Sequence, residues 1–142
     1  MRRTIEDLLA EARARIERFE PAAAHEAMLG GAVLLDTRSA DVRRRDGVVP
    51  GAFHVPRTVL EWRVDPSSPW RNEHVDAMSR TVIVLCEHGY SSSLAAATLA
   101  ELGVPRVGDV VGGYEAWVAA GLPTAAATDD DPDLLPGTGL PN

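Results

Sequence analysis

The sequence contains no lysine: all fourteen of its basic residues are arginine. Schiff-base chemistry and a lysine general base are therefore excluded. With a high alanine content, that bias points to a GC-rich, bacterial genome. Cysteine occurs once, at position 86, so no internal disulfide can form. No apolar run approaches the ~20 residues needed to span a bilayer. The N-terminus, Met1-Arg2-Arg3-Thr4-Ile5-Glu6-Asp7, lacks the continuous apolar segment of a secretory signal, so a cytoplasmic location is the expectation. Basic residues are in deficit, with a net charge of -7, which argues against nucleic-acid binding. The longest basic run, Arg43-Arg44-Arg45, is only three residues and reads as a solvated helix face.

What remains is an ordinary globular composition, 45% apolar over 142 residues, enough for one domain with a core. Within it the lone cysteine is singular by position. Val82 to Leu85 is a short, mostly β-branched run of the kind found in a strand buried on both faces. From Leu94, the residues Leu94, Ala95, Thr98, Leu99 and Leu102 recur at helical spacing, and Gly103 is a stop signal. Cys86 lies between the two, and Ser91 to Ser93 supply N-cap residues for the helix. A thiol at such a junction faces unpaired backbone N–H groups and the positive end of a helix dipole, both of which favour the nucleophilic thiolate.

Strand and helix signals alternate along the chain. Thr4 and Asp7 form a capping-box pattern ahead of an apolar stripe of Ile5, Leu8, Leu9, Ala12 and Ile16. Pro21 fits the first turn of a second helix ending near Gly30-Gly31. A strand over 32–35 ends at Asp36; Ser39 caps a short helix through Arg45; 52–55 is a strand stopped by Pro56; Thr58 to Val64 is a brief helix. A further helix is predicted near Trp70 to Met78, a strand over 106–111, and a helix over 114–120. The alternation implies an α/β fold with a parallel β-sheet flanked by helices on both faces and right-handed crossovers. The domain organisation predicted is an N-terminal helical segment (1–31) packed on a domain spanning 32–124. A flexible C-terminal tail, rich in Ala, Asp, Pro and Gly, is predicted over 125–142.

Four motifs, in order, carry a resemblance. They are Leu34-Leu35-Asp36-Thr37-Arg38; Gly47-Val48-Val49-Pro50-Gly51-Ala52-Phe53-His54-Val55-Pro56; the loop Cys86-Glu87-His88-Gly89; and Val110-Val111-Gly112-Gly113-Tyr114-Glu115-Ala116-Trp117 with Gly121-Leu122-Pro123. This set resembles the rhodanese family of sulfurtransferases. The resemblance implies a persulfide shuttle, in which Cys86 takes a sulfane sulfur from a small donor or a protein persulfide and hands it to a nucleophile. It implies a substrate cradle formed by Glu87, His88, Gly89, Tyr90, Ser91 and Ser92, with no metal and no organic cofactor. The chemistry agrees. An accessible sulfur needs a nest for a second, anionic sulfur, and Gly89 lets the backbone turn there. His25, His54, His74 and His88 show no ligand spacing.

The loop departs from the family pattern. A basic residue is common in it, whereas here Glu87 follows the cysteine and Ser91 stands where an arginine is frequent. Glu87 raises the thiol pKa and the helix terminus lowers it. With no loop arginine to offset Glu87, thiosulfate activity is expected to be weak. His88 is either a supporting hydrogen-bond donor or a plain exposed residue, and Tyr90 is expected as a pocket wall. Arg57 is placed to reach an anionic substrate. Asp36 is expected to brace the loop, Arg38 to pair with Asp41 or Asp46, and Trp117 to be core. A phosphatase on this fold would carry an arginine six positions after the cysteine, but that position is Ser92. The competing function is a rhodanese-like module that binds a partner or senses redox state with little turnover.

Overall fold

The central strands of a parallel sheet are covered on both faces, and Val33–Asp36 and Val82–Leu85 are buried at every position. The structure of the chain is a computed structural model, and it describes residues 1–128. Its elements are α1 (Ile5–Ala14), β1 (Glu17–Phe19), α2 (Pro21–Leu29), β2 (Val33–Asp36), α3 (Ala40–Asp46) and β3 (Phe53–His54). A 3-10 turn (Arg57–Val59) then leads to α4 (Leu60–Val64), β4 (Val82–Leu85), α5 (Ser91–Glu101), β5 (Val107–Val110) and α6 (Gly113–Ala119). The five strands form one wholly parallel sheet in the order β1-β5-β4-β2-β3.

The pleat divides the core in two. Val33, Leu35, Val82 and Val84 point to one face, where Leu60 and Val64 of α4 and Ala95, Ala96 and Leu99 of α5 cover them. Leu34, Ile83, Leu85 and Val110 point to the other, beneath Ala24 of α2 and Tyr114 and Trp117 of α6. Each fully buried aliphatic side chain contributes about 1.5–3 kcal/mol. Trp117 is fully buried, and its indole N–H donates to the Pro123 carbonyl at 2.8 Å. The α/β sheet with helices on both faces agrees with the sequence expectation.

Several local expectations are corrected. Glu17–Phe19, inside a segment expected to be helical, forms the edge strand β1 and pairs with β5. Its three residues are too short a run to stand out from the helices beside it. No helix forms near Trp70 to Met78; the chain runs through turns, with Asp65 and Asn72 side chains accepting backbone N–H groups two residues on. Asp76 there takes a left-handed φ of 48°. Ser91 to Ser93 do not cap α5 but occupy its first turn, with Tyr90 at the N-cap. In α1 the capping box of Thr4 and Asp7 is present, yet only Leu9 and Ala12 of its apolar stripe are buried. Arg43 is buried rather than solvated, because its Nε donates to Asp36 at 3.1 Å; Arg44 and Arg45 are exposed. Ala125 makes an isolated antiparallel bridge to Val48. The rest of the expected tail, from residue 129, lies outside the described residues. Among the described residues no helix is long and apolar enough to cross a membrane.

Candidate active site

Cys86 is the first residue beyond the central strand β4, and its carbonyl and sulfur are gripped from two sides. Tyr114 N–H donates to the Cys86 carbonyl at 2.8 Å and Glu115 N–H to the Glu87 carbonyl at 3.1 Å. That places the start of α6 directly against the loop, and only glycine permits the approach. A Cβ on Gly113, whose φ is +65°, would stand 2.5 Å from the Cys86 carbonyl oxygen. A Cβ on Gly89, at φ +85°, would stand 2.6 Å from Gly112 N. The Gly112-Gly113 pair and Gly89 are thus two halves of one backbone contact.

The sulfur itself accepts the N–H of Gly89 at 3.1 Å and of Ser92 at 3.4 Å. Burial pushes the Cys86 thiol up, but the polar side chains of Ser92 and Ser91 and hydrogen bonds from the N–H groups of Ser92 and Gly89 outweigh it. The thiol pKa lies below the ordinary cysteine value. Although 94% of the residue is covered by protein, Cys86 lines the floor of an open cleft of about 390 Å³. Glu87, His88, Ser91, Arg38 and Arg57 line the same cleft, so six residues singled out from the sequence converge there. Thr37, Ser39, Val42 and Arg45 complete the wall. Gly89 and Ser92 lie behind the sulfur as its donors.

Three expectations change. Tyr90 is not among the residues that line the cleft; it is 62% exposed, with the Arg13 guanidinium 5.6 Å from its ring centroid. Arg38 pairs with neither Asp41 nor Asp46. Its Nε and Nη2 grip the fully buried Asp36 at 3.0 and 2.8 Å, and Nη2 also donates to the Gly47 carbonyl at 2.8 Å. Its plane lies 3.8 Å over the Tyr114 ring. Glu87 is not without an arginine either, since Arg38 Nη1 reaches its carboxylate at 3.4 Å. The cation that offsets it comes from the β2 side of the sheet, a place that loop spacing could not reveal. Burial disfavours the Arg38 charge, but the hydrogen bond and charge of Asp36 and then of Glu87 overcome this and raise its pKa.

Asp36 braces Arg38 and Arg43 from beneath and does not line the cleft. His54 Nε2 bonds the Arg38 carbonyl at 2.7 Å and so fixes the next turn of the same wall. Arg57 ion-pairs Glu61 at 2.9 Å while facing the cleft. His88 Nδ1 lies 2.7 Å from Glu115 Oε2 at the exposed mouth. Among the described residues, no group of three His, Cys, Asp or Glu side chains is arranged to hold a metal.

The sequence reading passed over Asp109, Arg13 and Arg18. Asp109 is fully buried on β5 and takes hydrogen bonds from the hydroxyls of Ser92 and Ser93 at 2.8 and 2.7 Å. The signal for it was present: a lone carboxylate in an otherwise apolar strand, Val107–Val110, must find donors.

Comparison with known proteins gives a consistent result. The profile of the rhodanese-like domain matches residues 20–120. The thiosulfate sulfurtransferase GlpE of Actinobacillus succinogenes is 40% identical over 96 residues, which are 68% of this chain and 78% of that protein. Chloroplastic thiosulfate sulfurtransferase 16 of Arabidopsis thaliana is 35% identical over 106 residues, 72% of this chain and 88% of that protein. Among solved structures, a Rhodopseudomonas palustris protein of unknown function, described as a possible tyrosine phosphatase, superposes with a TM-score of 0.80 at 33% identity. The match covers 88% of this chain and 96% of that one. A thiosulfate sulfurtransferase from Pseudomonas aeruginosa superposes with a TM-score of 0.64 at 25% identity, over 80% of this chain and 20% of that one.

Proposed function

This chain belongs to the rhodanese-like domain family, and from that premise we propose that it is a sulfurtransferase working through a persulfide on Cys86. The Cys86 thiolate attacks the outer sulfur of a donor such as thiosulfate; the S–S bond of the donor breaks and sulfite leaves with the electron pair. The product, Cys86–S–S⁻, is attacked at its terminal sulfur by an acceptor thiolate, which departs as a persulfide and restores the Cys86 thiolate. No metal or cofactor enters either step. The observation that carries the reading is a sulfur held by two backbone N–H groups at the foot of an open, arginine-lined cleft. Those donors stabilise the thiolate before attack and the same charge when it returns as leaving group. The donor is a small sulfur compound or a protein persulfide, and the reaction is placed in a bacterial cytoplasm, where a lone thiol stays reduced.

Since the thiolate is the nucleophile, the loading rate should rise with pH as Cys86 loses its proton and level off once it is ionised. The depressed thiol pKa puts the half-maximal point below that of an unperturbed cysteine. Activity is then lost as pH falls through that point. A single-turnover pH–rate profile checks this, and a midpoint at or above the unperturbed value counts against it.

Thiosulfate turnover is proposed to be slow beside that of a less charged donor. Glu87 lines the cleft with its side chain 28% exposed, and Arg38 offsets it only in part because the same guanidinium serves Asp36. Glu87→Gln should raise the thiosulfate rate a few-fold, up to about tenfold if ~1.4 kcal/mol of repulsion is removed. Ser91→Arg should raise it further, both gains shrinking as salt screens the cleft. Rates unchanged in both variants would remove the charge argument and leave the persulfide step standing.

A further inference from the structure

The loop that carries Cys86 is held from behind by the N-terminal segment. Gly89 is the pivot, since its carbonyl oxygen accepts Arg13 Nη2 at 2.9 Å and Arg18 Nη2 at 3.2 Å. Arg13 lies in the last turn of α1, and its Nε reaches the Ser93 hydroxyl at 3.1 Å. Arg18 lies on β1 opposite Asp109 of β5, and its Nε meets that carboxylate at 3.0 Å. Asp109 in turn takes the hydroxyl hydrogens of Ser92 and Ser93. Two guanidiniums on separate elements therefore grip one loop carbonyl, and Arg13 directly and Arg18 through Asp109 of β5 also anchor the first turn of α5. Both arginines precede residue 20, where the family match begins.

The grip has a geometric consequence. A peptide unit is planar and trans, so fixing the Gly89 carbonyl toward Arg13 and Arg18 turns the Tyr90 N–H the opposite way. The preceding unit already points its N–H, that of Gly89, at the Cys86 sulfur. Drawing one carbonyl out of a tight turn while the neighbouring N–H groups face inward is how a backbone nest for an anion is made. There is also a consequence in charge. Loop residues 87–92 contain Glu87 and no arginine. Behind them, two guanidiniums against the single carboxylate of Asp109 leave one positive charge in excess.

We infer that Arg13 and Arg18 are positioning residues for sulfur transfer: they hold the Gly89 carbonyl out of the nest and supply from behind the positive charge that the loop itself lacks. This rests on the assignment of Cys86 as the sulfur carrier. The other charged groups that face the cysteine, Arg38, Arg45, Arg57, Glu87 and His88 in the cleft, with Asp36 behind Arg38 and Glu115 behind His88, are left intact by changes at position 13.

The test uses the full chain with Arg13→Gln and Arg13→Lys, because Arg13 does not touch the buried carboxylate. Arg18→Gln, which strips Asp109 of its cation, is read only beside a melting curve. Alkylation of Cys86 by iodoacetamide across pH reports the thiol, and single-turnover loading from thiosulfate reports the reaction. Arg13→Gln should move the alkylation midpoint up by about one pH unit, so that about tenfold less thiolate is present below it, and slow loading to match. Arg13→Lys should restore most of the midpoint but only part of the rate, since an ammonium cannot fork between Gly89 and Ser93. A folded Arg13→Gln protein with the wild-type alkylation profile and loading rate would overturn the inference. If wild-type protein does not load sulfur at all, the sulfur-carrier assignment fails by itself. A shifted alkylation midpoint in that case still supports the grip on the loop.

Discussion

Replacing Cys86 by serine should lower sulfur loading by at least a thousandfold, about 4 kcal/mol of barrier, without unfolding the protein. A serine hydroxyl is not ionised at any pH the fold tolerates, so neither the two N–H donors nor the arginines of the cleft can turn it into a comparable nucleophile. The fold should survive because the change is nearly isosteric. A serine Oγ can accept the same N–H groups of Gly89 and Ser92 that now reach the sulfur. The melting temperature should therefore stay close to that of the parent, and the loss should be chemical. There is no second thiol in the chain to take over. Sulfur transfer persisting in the serine variant at a comparable rate would remove Cys86 from the mechanism.

The largest effect on stability is expected at Arg38. Its guanidinium satisfies Asp36, which is fully buried, through two hydrogen bonds, and closes the Gly47 turn through a third. Arg38→Met keeps most of the volume over the Tyr114 ring and removes the charge. Arg43, at 3.1 Å, and the backbone N–H of residue 38, at 3.0 Å, would remain on Asp36. Breaking one side of a buried ionic cluster costs about 3–5 kcal/mol, and urea unfolding should show a loss in that range. Arg38→Lys should recover only part of it, because a single ammonium cannot reproduce the fork onto Asp36 and Gly47. The substitution also leaves Glu87 without its partner at the cleft. In protein that is still folded, thiosulfate loading should fall, and adding Glu87→Gln should restore part of the rate. A loss of stability below about 1 kcal/mol would mean that Arg43 and the backbone N–H of residue 38 suffice for Asp36.

Much of this architecture could be seen in the chain itself. Val33–Asp36 and Val82–Leu85 are unbroken apolar runs between turn signals, and each is a central strand. Cys86 was identifiable because its strand, glycine and serine cluster are contiguous. Where the sequence failed, the cause was physical. β1 is three residues of mixed polarity, stabilised by pairing with β5 rather than by its own pattern. The segment near Trp70 has helical-looking composition, yet Asp65 and Asn72 spend their side chains on local turns. Ser91 to Ser93 have cap chemistry, but Asp109 draws the second and third hydroxyls inward and makes them part of the first turn of α5. The partner of Glu87 comes from position 38, and the grip on Gly89 from positions 13 and 18. Such pairings join residues dozens of positions apart, and local spacing does not encode them.

Whether Cys86 carries sulfur is decided by intact-mass spectrometry of the wild-type protein. The protein is exposed in turn to thiosulfate, mercaptopyruvate and a persulfide donor, then treated with an acceptor thiol. A gain of one sulfur atom is expected, located to Cys86 by peptide mapping and lost again to the acceptor. An unchanged mass with all three donors, in protein whose Cys86 still reacts with iodoacetamide, would contradict it and favour a binding or redox-sensing module.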